Sequence, residues 1–261
     1  MKKNDPFTVV YEDSRIIVVN KAAGIAVIAD RWDENKDRLD RLVAASRPGG
    51  SLWIVHRIDR DTSGLVLFAK DAESHRSLSM AFEDRQVEKR YIAVVHGRPA
   101  WKETSCDLPL VPNGNKRGLT IVNKFQGKKS LTLFRCLGGA GNYSVLEVEP
   151  RSGRTHQIRV HIAALGHPIA CDPLYGSDKP VFLSSFKPDW RGDPFEERPL
   201  LNRLGLHAAE LTLPDWPPGK EDGEAPLKFY APLPRDMAAL IKQMKKRAGD
   251  DFSPNLSLST M

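Results

Sequence analysis

The sequence predicts a protein of the α+β class, and three observations support this. Short runs of apolar and β-branched residues recur along most of the chain, separated by polar or glycine-containing links. Only four stretches carry the apolar spacing of a helix. The chain has 261 residues, enough to bury a core of ordinary domain size. These observations agree with an α+β class but do not establish how the strands are arranged.

Ten strands are predicted, because each run is rich in β-branched or aromatic residues and is bounded by turn-forming residues. The first two flank Glu12-Asp13-Ser14 and should form a hairpin. Residues 138–141 are glycine-rich, but no Lys-Ser or Lys-Thr follows them, so we interpret them as a hairpin turn and not as a phosphate-binding loop. In chain order, the predicted strands are residues 8–11, 16–20, 52–55, 65–68, 91–95, 119–122, 131–136, 143–148, 206–213 and 227–230.

Four short helices are predicted from their apolar spacing. Residues 48–50 should end the first, Asp71 and Thr155 are placed to cap the second and third, and Gly166 is placed to end the third. We interpret the fourth as a helix that packs on the core and not as an RNA-reading helix. The apolar positions that define them are Leu39, Leu42 and Val43; Leu78, Ala81 and Phe82; Ile158, Ile162 and Leu165; and Met237, Leu240, Ile241 and Met244.

The bulk composition favours a polyanionic partner. Lys and Arg number 39 and Asp and Glu 33, a formal net charge of +6, although many basic proteins bind no nucleic acid. Cys106, Cys136 and Cys171 lie far apart, which indicates neither a disulfide framework nor a Cys-x-x-Cys metal site. The N-terminus lacks an apolar signal core, and no run is long enough to span a membrane. We expect a soluble protein of the reducing cytoplasm.

Residues 55–70 are the most informative segment, because a dense group of charges lies there between two predicted strands. The polar link contains two Asp, two Arg, one His, one Thr and one Ser. Active sites often collect in such links at strand ends. From composition alone a solvated hairpin loop is the simpler interpretation. The order of the residues changes that balance.

Residues 56–64, His-Arg-Ile-Asp-Arg-Asp-Thr-Ser-Gly, resemble the His-Arg-x-Asp-Arg-x-Thr-Ser-Gly signature of the RluA family of RNA pseudouridine synthases and match it at every fixed position. Other matching stretches follow the family's order, and the resemblance covers about residues 8–232. One departure is Ala22-Ala23-Gly24, where the family usually has Lys-Pro-x-Gly, and it affects only a turn. The other matching stretches are Tyr11-Glu12-Asp13, residues 16–24, Lys89-Arg90-Tyr91, residues 152–161, 166–169 and 172–176, and Leu206-His207-Ala208.

The resemblance implies a single α+β domain with a mixed, mostly antiparallel bent sheet, a central cleft and flanking helices. We expect this catalytic domain to span residues 1–248 without the RNA-binding module that many relatives carry. Residues 177–205 are rich in Pro, Trp and charge and have no clear period, so we interpret them as an inserted surface excursion. Residues 249–261 have the composition of a flexible C-terminal tail.

The implied activity is the isomerisation of specific uridines to pseudouridine in structured ribosomal or transfer RNA. The reaction needs no redox change and no outside atom, so the resemblance implies that neither a metal nor an organic cofactor takes part. Asp59 matches the essential carboxylate, which attacks ribose C1′ or base C6 or removes the C2′ proton. Arg159 matches the arginine that pairs with it, and Tyr91 matches the tyrosine that packs on the target base.

The same resemblance indicates residues that contact RNA. Since a stacked base cannot be reached, the target uridine must be extruded into the site. Arg57 is the best candidate for contacting the flipped nucleotide, whereas Arg60 and Arg154 are expected to hold phosphates or the loop itself. Small hydroxyl residues such as Thr62 can shape the turn. The full set of predicted RNA-binding residues is Arg57, Arg60, Thr62, Lys89, Arg154 and His156.

Two further features have alternative interpretations. Residues 124–129, Lys-Phe-Gln-Gly-Lys-Lys, form either a solvated turn or an RNA contact. His156 and His161 are five residues apart on one predicted helix, so their side chains diverge and are better interpreted as packing or hydrogen-bonding groups than as zinc ligands.

Two other functions compete for the whole chain. Asp61-Thr62-Ser63-Gly64 superficially resembles the Asp-Thr-Gly loop of aspartic proteases, but the order differs and no second loop supplies a partner carboxylate. A non-catalytic RNA-binding protein or RNA chaperone with the same fold is the second alternative. Loss of Asp59, Tyr91 or Arg159 would have indicated it, and all three are present. We expect a monomer whose partner is RNA.

Overall fold

The computed structural model describes residues 5–28, 37–47, 51–113, 118–217 and 225–248, together with Phe252. The chain divides into two compact units. The first unit comprises residues 1–89 and 208–232, and the second comprises residues 90–207 and 233–261. The single catalytic domain expected over residues 1–248 therefore stays a prediction.

The described residues form twelve strands and four helices, and the predicted α+β class is confirmed. The strands are β1 (Phe7–Glu12), β2 (Ile16–Lys21), β3 (Trp53–Ile54), β4 (Ser63–Ala69), β5 (Glu88–His96), β6 (Glu103–Cys106), β7 (Leu110–Pro112), β8 (Thr120–Val122), β9 (Thr132–Ala140), β10 (Tyr143–Pro150), β11 (Leu206–Leu213) and β12 (Leu227–Tyr230). The helices are α1 (Leu39–Ala45), α2 (Ala72–Glu83), α3 (Gln157–Ala164) and α4 (Arg235–Ala248).

The first unit is built on a sheet in which the pairs β1–β2, β2–β4, β3–β4 and β11–β12 are antiparallel and β2 and β4 are entirely buried. The strand order is β1, β2, β4 and β11; β12 pairs with β11, and β3 pairs with β4. Asp71 caps α2 as predicted, accepting hydrogen bonds from the Ser74 backbone N–H at 2.8 Å and the Ser74 hydroxyl at 2.7 Å. The core of this unit contains Ile16, Val18, Leu65, Leu67, Ala69, Leu78, Val87, Leu211, Leu213, Trp216, Phe229 and Ala231.

The second unit contains β5, β10, β9 and β6 in that order, all antiparallel. Strands β7 and β8 form a separate two-stranded sheet. Helix α3 packs on β8, β9 and β10, and α4 packs on β9. The core contains Ala93, Val95, Cys106, Phe134, Leu146, Val148, Ile158, Ile162, Ile169, Leu204 and Leu206.

Residues 177–205, which we predicted to be an inserted surface excursion, contain neither a helix nor a named strand. Their two ends nevertheless pair with each other, since Val181 bridges Leu201, and both residues are buried. The segment is thus anchored in the second unit at its base. Among the described residues, no helix is long and apolar enough to cross a membrane.

Several predicted boundaries need correction. Helix α3 begins one residue later than predicted: its N-cap is His156, in the left-handed conformation with φ 54°, and not Thr155. Its end is as predicted, with Gly166 at φ 84°. Strands β6 and β7 were missed because they are short and rich in polar residues or proline. Residues 48–50, predicted to end α1, lie outside the described residues, as does the predicted tail 249–261 apart from Phe252.

Gly64, the second residue of β4, allows two strands to approach closely. It has φ 113°, and a Cβ built there would lie 2.2 Å from the Ala208 carbonyl oxygen. We expect Gly64→Ala to lower the free energy of unfolding by about 3 kcal/mol or more, because it adds a backbone clash to an unfavourable φ. Urea denaturation measures this.

Gly24→Ala is the matched control, since Gly24 also has a positive φ of 88° but open space around its Cβ position. It should cost only about 1–2 kcal/mol, the strain of the left-handed conformation. Equal losses in the two variants would show that the Ala208 contact is not the cause.

Candidate active site

The loop that carries Asp59, residues 55–62, is held in shape by hydrogen bonds to its backbone. The Thr62 N–H donates to the Asp59 carbonyl at 3.2 Å and closes a turn. The next carbonyl along, that of Arg60, accepts from the Lys21 ammonium at 2.8 Å and from the Gly24 N–H at 2.9 Å. Asp59 therefore begins a turn whose backbone is held at the carbonyls of Asp59 and Arg60.

Lys21 holds this loop and was missed by the sequence reasoning. It lies at the end of β2, only 1% exposed, and its ammonium also donates to the Ala22 carbonyl at 2.8 Å. Burying an ammonium is unfavourable unless it is hydrogen-bonded, so these bonds to carbonyls fix its position. The turn at Ala22-Ala23-Gly24, where the sequence departs from the family pattern, is formed normally.

His56, within this loop, is a neutral ring that contacts β4 and α2. Its Nε2 accepts a hydrogen bond from the Leu67 N–H at 3.0 Å, and the ring stacks on Phe82 with a centroid distance of 4.6 Å. Burial and the nearby Lys89 ammonium lower the pKa of His56 to about 3. The Lys89 ammonium itself lies 5.6 Å from the centre of the Phe82 ring, and burial lowers its pKa.

The other predicted residues of this loop differ in exposure. Arg57 is exposed, Asp59 and Arg60 are half-buried, and Thr62 is buried. Within the described part of the chain, the Thr62 hydroxyl has no hydrogen-bond partner, whereas its backbone N–H closes the turn. The positions of Arg57 and Thr62 are compatible with their predicted roles in contacting RNA and shaping the turn.

In the second unit, Arg159 is held by a carboxylate that sequence reasoning did not assign to it. Arg159 lies on α3 and is 3% exposed, and Asp172 is fully buried. The guanidinium donates from Nε to Asp172 Oδ2 at 2.8 Å and from Nη2 to Oδ1 at 2.7 Å. This two-point contact fixes the plane of the guanidinium.

The segment that carries Asp172 contributes further contacts. Asp172 Oδ1 also accepts from the backbone N–H groups of Leu174 and Tyr175, and the Tyr175 ring lies 5.1 Å from the Arg159 guanidinium. The Tyr175 hydroxyl accepts from the Thr120 N–H at 2.8 Å and lies 2.9 Å from His156 Nδ1, to which it can donate. Arg159 and His156 are thus tied to the same tyrosine.

The remaining predicted residues of the second unit have less defined surroundings. Tyr91 lies on β5 opposite Val148 and is half-buried against the core. The Arg154 side chain is half-buried, with Nη2 3.5 Å from the Lys129 carbonyl and no partner for Nε among the residues that the structure describes. The backbone N–H of Arg154 donates to the Gln157 side chain at 3.1 Å.

His161 has a structural role, as predicted. It is fully buried, its Nε2 donates to the Leu108 carbonyl at 2.9 Å, and its Nδ1 accepts from the Thr132 hydroxyl at 2.9 Å. Burial lowers its pKa. Both nitrogens are therefore occupied, and His156 contacts a different residue, Tyr175.

The structure thus distributes the predicted site residues over both units. Arg57, Asp59, Arg60, Thr62 and Lys89 belong to the first, and Tyr91, Arg154, His156 and Arg159 belong to the second. Lys21, Asp172 and Tyr175 are additional residues that organise the two sets. All three lie in stretches that match the family pattern. The match alone does not show which residues of a stretch position the site and which only form a turn.

Comparisons with known proteins agree with these motifs. The family model for RNA pseudouridylate synthase matches residues 15–164. Ribosomal large subunit pseudouridine synthase D of Zymomonas mobilis subsp. mobilis is 33% identical over 92% of this chain and 73% of its own length. An uncharacterized RNA pseudouridine synthase of the same organism is 40% identical over 87% of this chain and 94% of its own. The solved structure of Human RNA Pseudouridylate Synthase Domain Containing 1 is similar with a TM-score of 0.65 and 27% identity, covering 90% of this chain and 87% of that one.

The Arg159–Asp172 pair leads to a stability prediction. Arg159→Leu would leave the buried Asp172 carboxylate without its cation and should lower the free energy of unfolding by about 3–5 kcal/mol. Arg60→Leu should cost less, because Arg60 is half-buried and is tied to its neighbours through its backbone carbonyl. Urea denaturation compares the two variants.

A double variant, Arg159→Leu with Asp172→Leu, removes both charges and serves as the control. It should recover part of the loss, because no buried charge is left unpaired. If Arg159→Leu and Arg60→Leu lowered the free energy of unfolding equally, the buried pair would not have the stabilising role proposed for it.

His56 leads to a prediction about pH. Its pKa is about 3 in the folded protein, against 6.5 for an unperturbed histidine, so the unfolded chain takes up the proton first as the pH falls. The contribution of neutral His56 to the free energy of unfolding is intact above about pH 6.5 and is lost progressively as the pH falls to about 3. At pH 5 the loss amounts to about 2 kcal/mol. The measurement is the difference in unfolding free energy between wild type and His56→Gln.

The His56→Gln variant should be less stable than wild type at pH 7.5, because it loses the stacked ring. That gap should narrow by about 2 kcal/mol at pH 5, since the variant has no imidazole to protonate. A gap that stays constant between these pH values would show that His56 titrates normally.

Proposed function

The chain belongs to the RNA pseudouridylate synthase family and is an isomerase, and from that premise we propose that it isomerises specific uridines of structured ribosomal or transfer RNA, with Asp59 as the essential carboxylate. The relatives named ribosomal large subunit pseudouridine synthase C and D favour ribosomal RNA. Transfer RNA is proposed from the resemblance of the motifs alone.

The reaction breaks the bond between ribose C1′ and uracil N1, rotates the uracil and joins C1′ to C5. The C5 proton is lost, N1 gains a proton, and no electron is transferred. The protein must therefore supply a carboxylate to assist bond cleavage, a surface to hold the detached ring, and a path for one proton. Asp59 is proposed for the first of these, in attack on C1′ or C6 or in removal of the C2′ proton.

The observation that best supports Asp59 is the way its turn is fixed. Lys21 and Gly24 both donate to the Arg60 carbonyl, and Thr62 donates to the Asp59 carbonyl, so the backbone that follows the Asp59 side chain is held at two successive carbonyls. A solvated hairpin loop would not need a buried lysine to hold its backbone. Fixing the backbone reduces the freedom that the carboxylate must lose when it reacts.

A catalytic carboxylate in a dry site also needs a nearby cation, because burial alone favours its protonated form. We propose Arg159 for this, as the family resemblance implies. The bidentate contact with Asp172 supports the proposal, since it fixes the orientation of a guanidinium that is 3% exposed. Asp172 is thus proposed as a positioning residue.

Tyr91 is proposed to pack on the target uracil, with its hydroxyl available for proton transfer at C5. A flat aromatic ring suits a base that has to rotate, because stacking has no strong directional requirement within the plane. The half-buried position of Tyr91 on β5 is compatible with a side chain that packs on one face and contacts a ligand on the other.

The predicted RNA contacts complete the proposal. The exposed Arg57 is proposed to contact the extruded nucleotide, and Arg60 and Arg154 to bind phosphates or hold the loop. Lys89 and His156 are proposed as weaker contacts, because each already has an aromatic neighbour within the protein. A monomer in the cytoplasm is proposed, and the free thiols of all three cysteines agree with a reducing compartment.

The alternative is a non-catalytic RNA-binding protein or RNA chaperone that retains the fold. Release of tritium from RNA labelled at uracil C5 distinguishes the two functions, because only isomerisation removes that atom. We expect wild type to release tritium and Asp59→Asn to release none while still binding RNA. Asp61→Asn is the matched control, since Asp61 is the exposed acid in the variable position of the motif, and it should retain activity.

Release by Asp59→Asn at the wild-type rate would refute the role of Asp59. Binding of RNA by wild type without any release, on RNA from several sources, would favour the non-catalytic alternative.

A further inference from the structure

Phe125 is the most exposed large apolar side chain among the described residues, with 99% of its surface accessible. It lies at the tip of the turn formed by residues 123–129, between β8 and β9, which we call the Phe125 turn. Burying such a side chain would contribute about 1.5–3 kcal/mol to folding. The isolated protein forgoes that contribution.

The Phe125 turn has a defined backbone. The Asn123 side-chain oxygen accepts from the N–H groups of Phe125 and Gln126, both at 2.9 Å. The Gly127 N–H donates to the Asn123 carbonyl at 2.9 Å, and a Cβ at Gly127 would lie 2.4 Å from that oxygen. These contacts hold the phenyl ring outward on a preformed support.

The base of the Phe125 turn is attached to the elements that hold the predicted site residues of the same unit. Lys128 exchanges both backbone hydrogen bonds with Leu110 on β7, at 2.8 and 3.1 Å. Thr120, at the start of β8, donates its N–H to the Tyr175 hydroxyl, and that ring contacts Arg159. The turn is thus joined by backbone hydrogen bonds to β7, and the neighbouring β8 is joined through the Tyr175 side chain to Arg159.

The charged residues of the Phe125 turn are all lysines. Lys124, Lys128 and Lys129 are exposed, and residues 123–129 contain no acidic residue. An aromatic ring surrounded by lysines matches the requirements of single-stranded nucleic acid, in which a base offers a flat face and the flanking phosphates carry negative charge. A paired duplex would present phosphates but no accessible base face.

From these observations we propose that Phe125 stacks on an unpaired base of the substrate RNA while the neighbouring lysines bind its phosphates. The proposal deepens the proposed function and rests on it, since it assigns a recognition residue to the same reaction. Because the turn is already ordered, little conformational entropy is lost when a base stacks there. The Phe125 turn thereby selects RNA that has an unpaired nucleotide.

Phe195 provides a matched control in the same unit. It is 98% exposed and lies in a similar turn, in which its N–H donates to the Asp193 side chain at 2.8 Å. Its neighbours are acidic, however, since Asp193, Glu196 and Glu197 lie within two residues of it. Truncating Phe195 therefore removes equal apolar exposure in an environment that repels phosphate.

The test is binding of a fluorescein-labelled twelve-residue oligouridylate, and of a fully paired RNA duplex of about the same length, by the full chain. Phe125→Ala should weaken oligouridylate binding about tenfold, the loss of one base–aromatic stack, and leave duplex binding unchanged. Phe125→Trp should bind as wild type, and Phe125→Leu should resemble Phe125→Ala because it lacks a π face. Phe195→Ala should bind as wild type.

Unchanged oligouridylate binding by Phe125→Ala would overturn the proposal, as would full recovery of that binding in Phe125→Leu, because a general apolar contact would then replace base stacking. An equal loss in Phe195→Ala would also overturn it. Tritium release from labelled RNA is measured separately, so absence of isomerisation with an intact Phe125 effect would refute the proposed function alone.

Discussion

The buried ion pair between Arg159 and Asp172 is the interaction on which the proposed site depends. Removing a guanidinium from water is unfavourable, and the cost is offset only when its donors are satisfied in good geometry. Asp172 supplies two parallel hydrogen bonds, and its own oxygen accepts backbone N–H groups from Leu174 and Tyr175. The Arg159 guanidinium therefore has one orientation, and it would not need to reorient in order to bind a second carboxylate.

The same physical solution recurs at Lys21, in the other unit. A buried cation again makes its hydrogen bonds to fixed acceptors, in this case the carbonyls of Ala22 and Arg60, and so holds the turn that carries Asp59. In both units the charge that stabilises the local fold also orients the residue proposed for catalysis. Preorganisation of this kind lets the reacting groups be placed before the RNA binds.

The sequence predicted most of the secondary structure, because most of its strands are apolar, β-branched runs bounded by turn residues and its α2 cap has the expected Asp71. The prediction that Thr155 caps α3 was wrong. The N-cap is His156, which has a left-handed backbone conformation and makes no side-chain cap hydrogen bond, and local composition does not reveal that geometry. The family resemblance, over three separate stretches, predicts Asp59, Tyr91 and Arg159 as catalytic residues. It could not identify Asp172 as the partner of Arg159, because that pairing depends on how the chain returns after α3.

Mapping of pseudouridine in cellular RNA tests the central claim, that Asp59 in its fixed turn isomerises uridine, most directly. RNA from a strain that lacks this protein is compared with RNA from the parent and from strains complemented with wild type or Asp59→Asn. The account predicts that one or a few pseudouridines are absent in the deletion strain, return with wild type and stay absent with Asp59→Asn. Restoration by Asp59→Asn, or identical maps in the parent and the deletion strain, would contradict it.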